Sequence, residues 1–441
     1  MFAFLPVKPF AHAIMCGLVG KCDSGKLMQD QTAMITRLLK QQEIKRAEML
    51  IAKRLRSTIP QDERLDLLYY RAQARLAGGR PDDAITDLQT LSQDAAERLM
   101  QPGYIELLGD SYFSRYEQAV VGFADRNDVL KAKDCYMEII TNHPQYENLG
   151  WAYYQLGRLC LVDNDSDLAQ DHFHNALFAP STVEALTAFC YERLGFVVFY
   201  EHRAFDKALA LLDKAVHTYP AHAKRQWLAQ VYILRSRVLQ GMKENEKAVE
   251  IANKALQIAS HNNGEDKAAL AEALLAFGEL LSALGIRHTD TIKYLQQFLQ
   301  VSKRPLGIDV TWSRVHEMLG DAYFQVGQFS EAINAYQATL SYNPYHPWAL
   351  SLHYRIAHSY YLLNDYEQSI STIQAMLDLA QREGESIDDY HVYDVLASAQ
   401  FAIHHYSAAA ESYRHALALA PPHAENIAQI KTYYEYAQKL S

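Results

Sequence analysis

Between Val315 and Pro344 the chain shows a spacing that suits a pair of antiparallel helices. Leu319-Gly320, Tyr323, Gly327, Phe329, Ala332, Tyr336, Leu340 and Pro344 are its marks. Small residues fall where two helices must touch, aromatic residues fill the gaps beside them, and a proline closes the second helix. The arrangement returns along nearly the whole chain. A chain of this kind grows by adding neighbours rather than by enlarging one core. The 441 residues therefore read as one continuous array, not as the roughly three globular domains that length alone would suggest.

Ten hairpins come into register when the small residue opening each second helix is taken as the marker: Ala47, Ala84, Ala132, Ala169, Ala208, Ala248, Thr291, Ala332, Ser369 and Ala409. Four residues on stand bulky partners, among them Ile51, Leu88, Tyr136, Phe173, Leu212, Tyr336, Ile373 and Tyr413. The first helices carry Leu108-Gly109, Leu156-Gly157, Leu194-Gly195, Phe277-Gly278 and Leu319-Gly320, with each glycine placed where the neighbouring helix presses closest. This signature resembles the tetratricopeptide repeat, a superfamily of roughly 34-residue helical hairpins that stack side by side. The likeness is strongest at the units of Ala132, Ala169, Ala208, Ala332 and Ala409. It is weakest at Ala47, Ala248 and Thr291, where glycine, aromatic or alanine markers are missing.

The resemblance implies an all-α fold, a right-handed superhelical solenoid of about ten hairpins. Three segments are expected: an irregular lead-in over 1–30, the solenoid over 31–425, and an amphipathic capping helix over 426–441. Units are spaced by 37 to 48 residues, and most of the excess is assigned to loops. The stretch 113–129 is the exception, read as an insertion inside one hairpin that either props the next unit or contacts a partner.

Charge narrows the partners. A net charge of −10 argues against a protein that tracks a nucleic-acid backbone, which needs a basic face. The first 60 residues hold ten Lys or Arg against four Asp or Glu, a basic start that reads as a solvated outer face. Cys16, Cys22, Cys135, Cys160 and Cys190 follow no ligand spacing, which fits reduced thiols in the cytoplasm. Met1 to Cys22 is apolar, yet Pro6, Lys8, Pro9 and His12 break it, so no stable membrane insertion is expected. Gly20, Gly25 and Lys26 imitate a phosphate-binding loop, but Leu27 occupies the position of the magnesium-holding hydroxyl. No nucleophile elbow, histidine-pair metal helix or paired cysteine ligands occur. No catalysis, cofactor or metal is expected.

What remains is a binding scaffold or adaptor. The resemblance implies that first helices line a concave groove that takes an extended or helical partner segment. Carried onto this chain, the groove comprises Trp151, Tyr154, Arg158, Glu192, Phe196, Tyr200, Glu317, Asp321 and Tyr354. Aromatic rings interleaved with carboxylates favour a protein or peptide bearing basic and aromatic residues. Some relatives clamp a C-terminal carboxylate with Lys and Asn; the matching positions here read Glu317, Asp321, Tyr354, Arg355 and His358, so no such clamp is present. Two other readings stay open: a regulatory receptor that tightens around a signal peptide, and an envelope-assembly factor held at a membrane by residues 1–22.

Overall fold

The computed structural model describes residues 26–41, 43–94, 100–119, 124–223, 225–261 and 266–441. The apolar lead-in, Cys16, Cys22 and most of the phosphate-loop-like run lie outside these residues. Among the described residues there are 21 helices and no strand, and the fold is an all-α helical solenoid. Two compact units divide the chain near residue 224.

The first unit holds α1 (Lys26–Lys40), α2 (Ile44–Leu55), α3 (Gln61–Ala77), α4 (Pro81–Asp94), α5 (Pro102–Gln118), α6 (Arg126–Asn142), α7 (Leu149–Val162), α8 (Ser166–Phe178), α9 (Leu186–Tyr200) and α10 (Phe205–Thr218). The second holds α11 (Gln226–Gly241), α12 (Asn245–Ala259), α13 (Lys267–Leu284), α14 (His288–Val301), α15 (Val310–Gln325), α16 (Phe329–Tyr342), α17 (Ala349–Leu362), α18 (Tyr366–Glu383), α19 (Tyr390–Ala402), α20 (Tyr406–Leu419) and α21 (Ile427–Leu440). Consecutive helices pair as ten hairpins, and α21 follows the last. Helix α1 begins at Lys26, inside the segment expected to be irregular. The expected insertion is largely helical: Phe113–Gln118 extend α5 and Arg126–Val129 open α6. Phe113 and Val129 are buried, packing with Tyr136 and Leu156.

All ten marker residues, from Ala47 to Ala409, have no exposed surface. The reason is steric. Each sits on its second helix against the first, and in five of the hairpins the residue four further on faces a first-helix glycine. A Cβ added at Gly157 would lie 2.6 Å from the ring of Phe173, and one at Gly320 would lie 2.5 Å from Tyr336. At Gly195 and Gly278 the opposing atoms belong to Leu212 and Leu295. A side chain at Gly157 or Gly320 would hold the helices apart, so the missing methyl is what lets the ring reach the hairpin axis.

Between the two helices of a hairpin the chain turns through a left-handed residue. Gly79, Asn164, Arg203, Lys243, Gly327, Asn364 and His404 all have positive φ and stand five residues before their markers. Aspartate caps reinforce several helix starts: Asp125, Asp165, Asp266, Asp309, Asp365 and Asp389 accept backbone N–H groups at the mouths of α6, α8, α13, α15, α18 and α19, each worth about 1 kcal/mol. At the far end α21 buries Ile430 and Ala437 against Ala409, Tyr413 and Ala416. The ring of Tyr433 stacks on Tyr413 at 6.3 Å.

Candidate peptide-binding groove

In the first unit the inner stripe of α5 carries Glu106, Asp110 and Glu117, and the facing stripe of α7 carries Trp151, Tyr154, Gln155 and Arg158. These residues turn toward one another. The Asp110 carboxylate accepts from the Tyr136 hydroxyl at 2.6 Å, the Gln155 amide at 2.9 Å and the Trp151 indole N–H at 3.1 Å. Arg158 donates to Gln155 Oε1 at 2.8 Å and to Glu117, and its guanidinium lies 4.5 Å from the Phe113 ring centre. Burial raises the pKa of Asp110, against the lowering effect of these hydrogen bonds and of Arg158. Most of these polar groups are paired inside the protein, as burial requires, while Glu117 Oε2 is buried without a hydrogen-bond partner.

This arrangement corrects the expected open aromatic face. Trp151 and Tyr154 are only 4% and 7% exposed, and Arg158 and Glu192 are buried with them. Trp151 stacks on Tyr154 at 5.3 Å, and Tyr154 leans in turn on Phe173 and Phe189. Glu192 accepts from Nε and Nη2 of Arg193, each at 2.5 Å. Phe196 and Tyr200 are half-buried and lie 4.6 Å apart, one helical turn from each other on α9. The rings pack between helices because successive hairpins approach closely enough to close over them.

The second unit brings two of the other three expected residues, Asp321 and Tyr354, to an open site. A cavity of about 560 Å³ lies between α13, α15 and α17, lined among others by Asp321, Phe324, Tyr354, Arg355 and His358. Glu317 stands one turn before Asp321 on α15, with His346 Nε2 at 3.5 Å. Asp321 Oδ1 accepts from the Tyr336 hydroxyl at 2.8 Å and from Arg355. The ion pair remains part-exposed, with 45% of the Asp321 side chain and 38% of Arg355 open to solvent. Beside it His358 makes ring contacts with Phe324 at 5.4 Å and with Tyr354 at 5.8 Å. Burial pushes the Tyr354 hydroxyl up to about 12. Burial, helped by His391, lowers the pKa of His358 and so favours its neutral form. The sequence placed His358 only at a position matching the carboxylate clamp, and no spacing marked it or Phe324 as part of a stacked wall. Both follow from α15 and α17 lying side by side, which a single-helix periodicity does not encode.

Among the described residues no group of three or more His, Cys, Asp or Glu is placed to hold a metal ion. No described helix is long and apolar enough to cross a membrane.

Comparison with known proteins agrees with this architecture. Models of the tetratricopeptide repeat match residues 317–383, which contain the open cavity's α15 and α17 residues, and residues 229–262. No curated protein matches the chain in sequence. Among solved structures, a signal-transduction ATPase with numerous domains and a tetratricopeptide repeat sensor, from Pyrococcus horikoshii, is similar at a TM-score of 0.55 and 16% identity, over 88% of this chain and 56% of that one. A tetratricopeptide repeat protein from Parabacteroides merdae is similar at a TM-score of 0.36 and 15% identity, over 66% of this chain and 98% of that one. YrrB, a tetratricopeptide repeat protein with an unusual peptide-binding site, aligns at a TM-score of 0.34 and 16% identity, over 50% of this chain and 97% of that one. Residues 229–262 and 317–383 are matched as tetratricopeptide repeats, and all ten hairpins of the chain carry the same buried marker position.

Proposed function

We propose that this protein is a non-catalytic interaction scaffold that holds a segment of a partner protein along the inner faces of α13, α15 and α17. The observation that carries the reading is the 560 Å³ cavity: a part-exposed carboxylate beside a wall of aromatic rings. Such a combination gives a partner side chain contact area at low entropic cost and one directional polar anchor. Exposed ion pairs contribute little to folding stability, so the Asp321–Arg355 pair is better placed to recognise than to stabilise. The carboxylates nearby, Glu317 and Asp394, favour a partner segment with basic residues.

Affinity capture with the full chain, read by mass spectrometry, tests this. A partner recovered by the wild type should be lost with the double variant Asp321→Ala, Tyr354→Ala and kept with Gln337→Ala on the exposed side of α16. Equal recovery by all three proteins would place binding elsewhere.

A further inference from the structure

The cavity between α13, α15 and α17 offers an unequal set of polar groups. Asp321 spends Oδ1 on both of its internal partners, Tyr336 and Arg355, while Oδ2 accepts from no described residue. Among the described residues the Tyr354 hydroxyl and both ring nitrogens of His358 likewise have no hydrogen-bond partner. Asp321 Oδ2 is an acceptor, and the Tyr354 hydroxyl and the one unprotonated nitrogen of the neutral His358 ring can accept; they stand around one volume. The rings of Phe324, His358 and Tyr354 form its wall, each within 6 Å of the next. Tyr354 also feels the negative field of Asp389 and Asp394. The one guanidinium present, that of Arg355, lies 5.9 Å from the Tyr336 ring centre.

We propose that this cavity is a subsite for the guanidinium of an arginine carried by the partner segment, with Asp321 Oδ2 accepting its N–H groups and the Tyr354–His358 wall stacking on its flat face. The proposal rests on the groove reading above. Arginine fits better than lysine because a planar, weakly hydrated cation can stack on the rings and donate in their plane at once, which a tetrahedral ammonium cannot. The neutral form of His358 suits this role, since a charged imidazole would repel the incoming cation. Arg355 acts as the resident competitor, neutralising Asp321 until a second guanidinium arrives.

The test uses the full chain and two small probes, arginine amide and its neutral isostere citrulline amide, with binding read by ligand-observed and ¹H–¹⁵N NMR titration. Arginine amide should bind at least tenfold tighter than citrulline amide. Asp321→Asn, which keeps the Tyr336 hydrogen bond, should remove that preference. Arg355→Met should strengthen arginine amide binding several-fold, because it frees Asp321; a purely structural ion pair gives no such gain. Equal binding of the two probes, or an unchanged preference in Asp321→Asn, overturns the subsite. The two readings separate cleanly. Partner capture by wild type and Asp321→Asn alike, with no arginine preference, would leave the groove and remove the subsite. An arginine preference lost in Asp321→Asn, with no partner held in the groove, would do the reverse.

Discussion

The side-chain amide of Asn148 donates to both carboxyl oxygens of Glu106, at 3.0 and 2.9 Å. Its other end fixes the direction. Asn148 Oδ1 accepts from the backbone N–H of Thr182 at 3.1 Å and from the Ser181 hydroxyl at 2.8 Å, and a backbone N–H can only donate, so the amide cannot turn round. One asparagine thereby ties α5, the mouth of α7 and the loop before α9. The charged groups acting on Glu106 are the carboxylates of Asp110 and Glu147, both of which oppose its ionisation.

Stability should therefore depend on the protonation of Glu106. Burial first, then Asp110, raises its pKa well above the ordinary value of 4.5 in the folded state, against the lowering effect of Asn148 and Tyr146. For a raised carboxyl the sign is definite: the unfolded chain gives up its proton at lower pH than the folded one. The stabilising contribution is complete below the unfolded pKa and is lost as pH rises through the folded pKa. Urea unfolding of the wild type and Glu106→Gln across pH 4 to 9 should give matching stabilities at the acid end and an increasingly more stable variant toward the alkaline end. Parallel curves would show that Glu106 ionises freely.

Helix crossings should rank the glycines by what opposes them. The ring of Phe173, fully buried and rigid, stands 2.6 Å from a Cβ at Gly157, whereas a Cβ at Gly195 meets the more yielding tip of Leu212 at 3.0 Å. Overpacking costs about 1–3 kcal/mol, and alanine returns up to about 1 kcal/mol of helix propensity. Gly157→Ala should lower stability by about 1–2 kcal/mol, and Gly195→Ala should fall near neutral. Denaturant midpoints at a common m-value would check the order.

The hairpin turns offer the opposite change. Lys243 has φ +63° and an exposed side chain, and the left-handed region costs a residue with a Cβ about 1–2 kcal/mol. Lys243→Gly removes that cost while adding about 0.5–1 kcal/mol of unfolded-state entropy. A net gain of about 0.5–1 kcal/mol is expected in thermal or urea unfolding. Asn364→Gly should gain less, since asparagine visits this region more readily.

The hairpins were legible because their determinants are local: a buried small residue at Ala132 or Ala332, a bulky one four later, a glycine opposite. Those contacts recur at fixed spacing, and even the weakly marked units at Ala47, Ala248 and Thr291 take the same buried position. The site was less legible because exposure is decided by the next hairpin. Tyr154 and Tyr354 occupy comparable places on their first helices. Yet Tyr154 is covered by Phe189 of α9, while Tyr354 keeps one edge on the cavity beside α15. No spacing within a single hairpin distinguishes these two outcomes.

That contrast gives a last prediction, in which two tyrosines part company. Tyr154 is wrapped by Trp151, Phe173 and Phe189, so Tyr154→Ala empties an aromatic site that neighbours cannot refill, at a cost of about 3–5 kcal/mol. Tyr354 is only half-buried and borders open volume, so Tyr354→Ala should cost about 1–2 kcal/mol of folding, within the ordinary range for single substitutions. Binding should rank the other way. At a temperature where both variants remain folded, Tyr354→Ala should weaken a groove-bound segment by about 1–3 kcal/mol, as truncating an aromatic anchor does, while Tyr154→Ala leaves affinity near that of the wild type. Paired thermal unfolding and calorimetric titration measure both quantities on the same samples. If Tyr154→Ala weakened binding as much as Tyr354→Ala while remaining fully folded, the partner would have to reach into the first unit, and the groove assigned to α13, α15 and α17 would be too narrow.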